Sequence, residues 1–326
     1  MCTRTYKLDP AHYLSAPQLS FDAALRVTKA KLELVSDPRM YEMIDSGIRG
    51  GVAMISRRFA HANNPGVKGY DPCKPTNYIK GFDANNLYGW AMSQPMPYEN
   101  FEWMSPSELE AIDWTAQQDD QEWGYILKVD LDYPKHLHDL HNDYPLAPER
   151  LIVKDEWLSA KQVNLKVQYK MGRSDIATKL IPTLLNKRNY VIHYRVLKFY
   201  LAHGLILKKV HSGIKFTQSS WLAIYIRKNQ DLRALAANDT EADFFKLMNN
   251  SVYGKTVENL RNRTNIKLVQ DKVKLQALLN KPHLMDFRVF NEDLAGVELQ
   301  KVQVKIDRPF YLGFTVLDLA KMFMYK

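Results

Sequence analysis

Four residues suited to binding a nucleotide triphosphate recur at helical spacing near position 250. They are Lys246, Asn250, Tyr253 and Gly254, at i, i+4, i+7 and i+8, so a helix would place them along one face. An ammonium group can meet a phosphate, a ring can lie beside a base pair, and a glycine lets that base pair approach closely. The pattern also fits an ordinary helix with one solvated side, and the spacing leaves both interpretations open.

A second stripe predicts how this helix is anchored. Thr240, with Asp243 three residues later, resembles a capping box and predicts a helix from Thr240 to about Asn259. Residues 221–235 have helical periodicity too, so we expect two basic helices joined by a short turn. The buried face is predicted to consist of Phe244, Leu247, Met248, Ser251 and Val252.

The surrounding elements predict an α+β fold. The first 60 residues are typical of helix and loop, and a short strand is expected to end near Asp83, just before a turn into a helix. Apolar residues alternate from Trp123 to Leu131, which predicts a half-buried, antiparallel strand, and residues 204–216 predict another. An apolar strand and helix, residues 297–325, return to the body. The helical pair is therefore expected to project from an antiparallel sheet.

Charge is concentrated in the middle of the chain. Residues 161–275 carry 22 Lys and Arg and seven Asp and Glu, a net charge of +15, whereas the remainder carries −6. A basic stretch of this kind favours a polyanion, since each neutralised phosphate releases counterions. A run of solvated helix faces would have the same composition.

Composition excludes several classes of protein. No apolar run approaches the ~20 residues that cross a bilayer, so no membrane association is expected. The charged start does not resemble a signal peptide, and Cys2 and Cys73 cannot form a disulfide framework. We therefore expect an intracellular, reducing location.

Two clusters resemble binding sites but have simpler explanations. The first contains ligand types for zinc or iron without a defined scaffold, and a polar turn is the simpler interpretation. It comprises His136, His138, Asp139, His141 and Asp143. The second interleaves cations with rings, as in single-strand binding, but a partly buried helix explains it equally well. It comprises Lys187, Arg188, Tyr190, His193, Tyr194 and Arg195.

Two segments resemble the motifs of family B DNA polymerases. KLMNNSVYGKT matches motif B, K-x3-N-S-x-Y-G, at every fixed position, including Ser251. FDANNLYG resembles motif A, D-x2-S-L-Y-P, and keeps Asp83, Leu87 and Tyr88. It departs at Asn86, where serine is usual, and at Gly89, where proline is usual.

Two further segments resemble the protein-primed members of this family. Among these, the chain most resembles the polymerases of Polinton-like mobile elements. IRGGVAMISRRF resembles the Y-x-G-G linker that follows the exonuclease, with Ile48 in place of tyrosine. YLGFTVLDLAKMFMYK resembles the segment that leads into motif C, Y-x-D-T-D-S. Asp318 in this segment lies in an apolar, helix-like pattern and is interpreted as structural.

The resemblance implies a role for each matching residue. Such enzymes use two Mg²⁺ ions roughly 4 Å apart, and Asp83 with the carbonyl of Ala84 would bind metal. The implied catalytic set is Asp83, Lys246 and Tyr88, the last excluding a 2′-hydroxyl. The implied nucleotide-binding set is Ala84, Leu87, Tyr88, Arg233 (alternatively Arg227 or Lys228), Lys246, Asn250, Tyr253 and Gly254. The implied DNA-binding set is Arg49, Gly50, Gly51, Lys255, Arg261 and Arg263.

The resemblance also implies an incomplete right-hand architecture of palm and fingers. We expect residues 1–60 to link an exonuclease domain to the palm and residues 61–150 to form the palm with motif A. Residues 151–215 are expected to form an insertion and palm connection that contacts DNA. Residues 216–262 would be the fingers with motif B, and 263–326 would return to the palm before motif C. Because motif C carries two carboxylates, the chain alone is expected to be inactive.

The implied function is template-directed transfer of nucleotides from dNTPs to a primer 3′-hydroxyl, in the replication of a virus-like or mobile element. The implied partners are template-primer DNA, dNTPs and a terminal protein primer, with nuclear location or location at the site of element replication. The alternative is a catalytically inactive remnant that still binds DNA and nucleotide.

Overall fold

The computed structural model describes residues 1–169, 178–260, 265–301, 303 and 305–326. Within them the chain forms two units. Unit 1 comprises Met1–Thr256 and Pro309–Lys326, and unit 2 comprises Val257–Arg308. Among the described residues, no helix is both long and apolar enough to cross a membrane.

An antiparallel sheet lies at the centre of unit 1. Its strands follow the order β1-β6-β2-β5, so the long β6 pairs with both β1 and β2. A separate pair, β3-β4, is also antiparallel. The strands are β1 (Met96–Trp103), β2 (Trp123–Asp132), β3 (Glu149–Ile152), β4 (Thr178–Ile181), β5 (Lys187–His193) and β6 (Ile206–Ser219).

The strand predicted from alternation is β2, and the predicted antiparallel pairing is confirmed. Leu127, Val129 and Leu131 are fully buried on the expected face. Trp123 is 37% exposed at the start of the strand, whereas Ile126 on the opposite face is fully buried. Buried Ile126 and Leu127 on opposite faces show that the strand is covered on both faces there.

Helices surround this sheet. Those of unit 1 are α1 (Cys2–Tyr6), α2 (Ala16–Thr28), α3 (Pro38–Gly47), α4 (Leu87–Met92), α5 (Pro106–Ala111), α6 (His138–His141), α7 (Ala160–Gln168), α8 (Tyr194–Ala202), α9 (Ala223–Ala234), α10 (Asp239–Thr256) and α12 (Phe310–Tyr325). Several begin with a side-chain cap: Asp37 accepts from the N–H of Arg39, and Ser105 forms a capping box with Glu108.

The prediction of a strand that ends near Asp83 is wrong. Residues 78–84 form neither helix nor strand, and Asn63 and Asn77 form an isolated bridge just before them. A strand needs a neighbour to satisfy its backbone N–H and C=O groups. The helix predicted after this segment is confirmed as α4.

The helical pair is α9 and α10, as the periodicity predicts. The predicted capping box at Thr240 is wrong, because Asn238 accepts from the N–H of Glu241 at 3.0 Å. The carboxylate of Glu241 in turn accepts from the N–H of Ala237 at 3.0 Å. The helix therefore begins at Asp239, and it ends at Thr256, short of the predicted Asn259.

A buried polar chain joins the two helices of this pair to the amino-terminal helices. The Asn229 amide on α9 donates to Asn249 of α10 at 2.8 Å and accepts from the Tyr6 hydroxyl at 2.6 Å. Met248 and Val252 are buried as predicted, whereas Leu247 was assigned wrongly to this face and is 49% exposed. These hydrogen bonds hold α9 and α10 together, because a buried amide without a hydrogen-bond partner would cost free energy.

Helix α12 runs through the core of unit 1, and its residues 310–322 are all buried. The carboxylate of Asp318 accepts from the N–H of His193 at 3.0 Å and lies 3.4 Å from the ammonium of Lys321. That ammonium donates to the carbonyl of Arg49 at 2.7 Å. These bonds fit the structural role that the sequence indicates for Asp318.

The cation-and-ring segment at residues 187–195 is mostly buried in β5 and the start of α8. Lys187 is fully buried beside Glu149 at 2.9 Å, and Arg195 is paired with Asp119 at 3.1 Å. The interpretation of this segment as a binding site for single-stranded nucleic acid is therefore wrong, because Lys187 and Arg195 are buried in ion pairs within the protein. The alternative interpretation, a partly buried helix, is correct in its burial but wrong in its secondary structure, because residues 187–193 form strand β5.

Unit 2 has its own small core. Its elements are β7 (Asn265–Val269), α11 (Lys272–Leu279), β8 (Leu284–Asn291) and β9 (Leu294–Leu299). The strands form an antiparallel sheet in the order β7-β9-β8, and Leu278 of α11 packs on Val269, Val297 and Leu299. The predicted functional boundaries, which assign 263–326 to the palm, stay predictions.

Candidate nucleotide and nucleic-acid site

The four motif B residues predicted to share a face do so on α10. Lys246, Asn250 and Gly254 are exposed, and Tyr253 is half-buried. No atom lies within 4 Å of the position that a Cβ would take at Gly254. This face therefore offers a cation, an amide and open space next to an aromatic ring.

Tyr88 of α4 joins this face from a distant part of the sequence. Its ring lies 4.5 Å from that of Tyr253, between ring centroids, at an interplanar angle of 43°. Burial, with a smaller contribution from Tyr88, raises the pKa of Tyr253 to about 12. The Tyr253 phenol is therefore neutral near pH 7, and motif A and motif B meet through this aromatic contact.

The departures from motif A at Asn86 and Gly89 have a common local cause. Asn86 precedes α4 with φ of 52°, a left-handed conformation that asparagine tolerates better than most residues. Its amide occupies the space that a Cβ at Gly89 would need. Asn86 therefore requires glycine at position 89, and the helix that carries Tyr88 depends on both.

Asp83 and Ala84 lie on the segment just before α4. The Asp83 carboxylate is exposed and has no hydrogen bond or ion pair within the described ranges, and Ala84 is half-exposed. In the part of the chain that the structure describes, no group of three or more acidic, His or Cys side chains could hold a metal ion. The metal-binding roles of Asp83 and Ala84 stay predictions.

Arg49 points into the protein. Its guanidinium donates to the carbonyl of Val191 at 2.8 Å and lies 3.8 Å from the ring of Tyr190. Gly50 is partly exposed and Gly51 is exposed, so their backbone N–H groups can be reached from solvent. A phosphate contact by the Arg49 side chain would require these bonds to break, whereas a backbone contact would not.

The other predicted cations differ in exposure. Arg233 and Arg227 are exposed on α9, whereas Lys228 donates to the carbonyl of Thr5 at 3.2 Å. Lys255 is only 9% exposed. Arg261 and Arg263 lie outside the described residues. Of the alternatives for a second phosphate-binding cation, the arginines have the more accessible side chains.

The histidine cluster is part of a packed turn. The hydroxyl of Tyr133 is bonded to Nδ1 of His141 at 2.8 Å, and its ring makes an edge contact with His138. Burial lowers the pKa of His141, which favours neutral imidazole. Two of the clustered histidines thus support Tyr133, which also receives the N–H of Leu146.

A cavity of about 340 Å³ lies beside the aromatic contact and was not predicted. Four separate segments line it, and they contribute Gly51, Tyr88, Tyr144 and Lys321 among others. Lys321 and Asp318 are the only charged residues of α12, and a lysine in such an apolar helix is the signal that could have indicated Lys321. The cavity lies between Gly51 of the predicted template-binding pair and Tyr88 of motif A.

The antiparallel sheet, the helical pair and the contact of Tyr88 with Tyr253 agree with the polymerase class that the motifs indicate. The sequence profile of the family described as DNA polymerase type B, organellar and viral, matches residues 6–294. The chain therefore belongs to this family of DNA polymerases, which confirms the resemblance drawn from the motifs. No protein with a curated description is similar enough in sequence to count as a match.

Solved structures of phi29 DNA polymerase have the same fold. The orthorhombic crystal form superposes with a TM-score of 0.52 at 13% identity, over 98% of this chain and 46% of that one. The complex with primer-template DNA and incoming nucleotide substrates gives 0.51 at 14% identity, with the same coverage. The chain thus spans less than half of those polymerases, and the predicted α+β fold with a helical hairpin is confirmed.

Proposed function

We propose that this chain carries the catalytic region of a DNA-directed DNA polymerase, which transfers nucleotides from dNTPs to a primer 3′-hydroxyl under the direction of a template. The contact between Tyr88 and Tyr253 carries this proposal, because it brings motif A and motif B together beside exposed Lys246. Family membership and the shared fold support the general activity.

Each side chain on this face has a task in the proposed reaction. Lys246 would bind the triphosphate through its ammonium group, with Arg233 as a second cation. Tyr253 and Asn250 would line the nascent base pair, and Gly254 would let it approach. Tyr88, held against Tyr253, would collide with a 2′-hydroxyl and so select deoxynucleotides.

Mg²⁺ is the ion that the family implies. The oxygen donors of Asp83 and Ala84 fit Mg²⁺ in type, since hard cations prefer carboxylate and carbonyl ligands. Bound ions would activate the primer hydroxyl and stabilise the departing pyrophosphate. The described residues offer no cluster of three candidate ligands, so these two donors are proposed as part of a larger set.

The proposed partners are template-primer DNA, dNTPs and a terminal protein primer. Phi29 DNA polymerase has been solved in complex with primer-template DNA and with incoming nucleotide substrates, which supports these partners. The proposed setting is replication of a virus-like or mobile element inside the cell, in the nucleus or where the element replicates.

A second candidate function is a DNA- and nucleotide-binding protein without catalysis. It is favoured by the exposed Asp83, which has no acidic neighbours close enough to form a metal cluster within the described ranges. Both candidates predict binding of a dNTP that matches the template base. They differ in whether the bound nucleotide is incorporated.

Binding of a fluorescent dNTP to the chain on primer-template DNA tests what the candidates share. The dNTP that matches the template base should bind more tightly than a mismatched one, and Lys246→Ala should weaken it by about 10-fold or more, the loss of a charge-assisted bond. Lys31→Ala, which removes an exposed lysine far along the sequence, is the control and should change nothing. Equal binding of all dNTPs would overturn both candidates.

Primer extension with Mg²⁺, by a form of the protein that also carries motif C, then separates them, because the chain without those carboxylates is expected to be inactive. Extension that disappears in Asp83→Asn supports the polymerase, and Tyr88→Ala should then incorporate ribonucleotides more readily. Matched dNTP binding without extension supports the non-catalytic candidate.

A further inference from the structure

Two buried asparagines organise the segment between the glycine pair and motif A. Asn63 and Asn64 are only 8% and 7% exposed, although the residues around them are mostly exposed. The Asn63 amide donates to the carbonyls of Asp71, Lys74 and Pro75 at 3.0–3.3 Å. Its oxygen accepts from the N–H of Asp71 at 2.9 Å. We call residues 61–77 the asparagine loop.

Asn77 closes the asparagine loop. The N–H of Asn63 donates to the Asn77 side chain at 2.7 Å, and the N–H of Asn77 donates to the carbonyl of Asn63 at 2.8 Å. The Asn64 amide donates to the carbonyl of Asn77 at 3.0 Å. Side chains thus supply hydrogen bonds that a sheet or helix would supply elsewhere, and the loop has a defined shape.

A tight turn at the tip presents two side chains to solvent. The N–H of Tyr70 donates to the carbonyl of Val67 at 3.2 Å, and Gly69 has φ of 86°, as the third residue of a type II turn requires. Lys68 and Tyr70 flank this glycine, and Tyr70 is 37% exposed.

The residues just before the loop also present cations and an aromatic ring to solvent. Arg57 and Arg58 are exposed, and Phe59 is 84% exposed, which is unusual for a phenylalanine. Residues 57–74 hold four Lys and Arg against one acidic residue, Asp71. The ion pairs of Arg57 with Asp143 (3.7 Å) and of Lys74 with Asp71 (3.3 Å) are exposed and therefore weak.

We propose that residues 57–74 form a binding surface for single-stranded DNA, in which Phe59 and Tyr70 stack on bases while Arg57, Arg58 and Lys68 bind phosphates. Interleaved rings and cations favour an unpaired strand, because its base faces are free to stack. The positive charge complements the phosphates, and the ordered loop reduces the entropy lost on binding. The proposal rests on the proposed function, in which the strand is unpaired template.

Fluorescence anisotropy with three labelled DNAs tests the proposal. They are an oligo(dT) strand, a primer-template with a long 5′ template overhang, and a blunt duplex. Phe59→Ala/Tyr70→Ala should weaken binding of the first two by about 30-fold or more, the loss of two stacking contacts, and leave the blunt duplex unchanged. Arg57→Gln/Lys68→Gln should reduce the salt slope for oligo(dT) by about 1.4, the value for two phosphate contacts on a single strand.

Trp123→Ala is the matched control. Trp123 has the same 37% exposure as Tyr70 and a cation close by, Lys215 at 5.8 Å, but it lies on β2. Its removal should leave all three affinities unchanged. Equal losses for single strand and duplex, or no loss in either double variant, would overturn the proposal. Failure of the unaltered protein to bind any of these DNAs would instead refute the proposed function.

Discussion

At the scale of single residues, motif A shows how two departures from a motif can compensate each other. Asn86 supplies the left-handed residue before α4, and its amide fills the space above Gly89. The usual serine is smaller, and with serine a residue with a Cβ could follow three positions later. The two positions therefore act as a pair, which a residue-by-residue comparison with the motif does not show.

Gly89→Ala should destabilise the protein by about 1–3 kcal/mol, because the new methyl group overlaps the Asn86 amide in a packed region. Asn86→Ser/Gly89→Ala should recover part of this loss. Urea unfolding of the two single variants and the double variant gives the coupling free energy. Strictly additive effects would contradict the pairing of these positions.

At the scale of elements, the start of α8 depends on a neutral histidine. Nδ1 of His193 accepts from the N–H of Arg195 at 3.4 Å, and the ring is fully buried. Burial, with Arg195 nearby, lowers the pKa of His193 to about 3. A protonated ring would lose its acceptor nitrogen and place a second charge beside Arg195.

This depressed pKa predicts a loss of stability in acid. Between pH 6.5 and about 3 the unfolded chain binds a proton at His193 that the folded chain does not bind, so the free energy of unfolding falls as pH falls. The contribution of this group should fall by about 2 kcal/mol from pH 6.5 to pH 5. Guanidinium unfolding across this range measures the slope.

His193→Asn provides the comparison, because asparagine keeps a cap acceptor and does not titrate. The variant should be less stable at pH 7 but should have a flatter pH dependence between 6.5 and 5. Carboxylates titrate in both proteins, so the difference between the slopes isolates His193. Parallel slopes would show that His193 is not neutral and buried in the native state.

At the scale of the whole molecule, unit 2 is an insertion between two helices that pack against each other in unit 1. The chain leaves α10 at Thr256 and returns at Pro309, just before α12. Replacing residues 257–308 with a short Gly-Ser linker should therefore leave a folded unit 1 with one cooperative thermal transition. Removing residues 310–326 instead should abolish that transition, since most of α12 is buried.

Patterns of period two and 3.6 were sufficient to predict β2, β6, α9 and α10, and a nearly continuous apolar run predicted α12, because the core determines which of their residues are buried. Motif spacing likewise predicted that Lys246, Asn250 and Tyr253 share a face. The contact of Tyr253 with Tyr88 joins residues far apart in sequence, and no local pattern records it. Leu247 and Thr240 were misassigned because neighbouring residues, Phe245 and Asn238, compete for the same roles.

Charge was the least reliable guide. Lys187 and Arg195 are basic residues that the sequence could not distinguish from surface cations, yet both are buried with acidic partners from distant segments. Such pairs depend on the tertiary fold. The asparagine loop escaped notice for a similar reason, because its order comes from side-chain bonds that have no period.

The burial of α12 also affects when the protein can fold during synthesis. This helix packs against α3, α4 and β1, so the core of unit 1 joins residues separated by more than 200 positions along the chain. Contacts of such separation form slowly. On a ribosome, which releases the chain from its amino terminus, unit 2 can fold while the core of unit 1 still lacks its central helix. Until α12 has been synthesised, the apolar surface that it covers in unit 1 would be exposed and would offer a binding site for a chaperone.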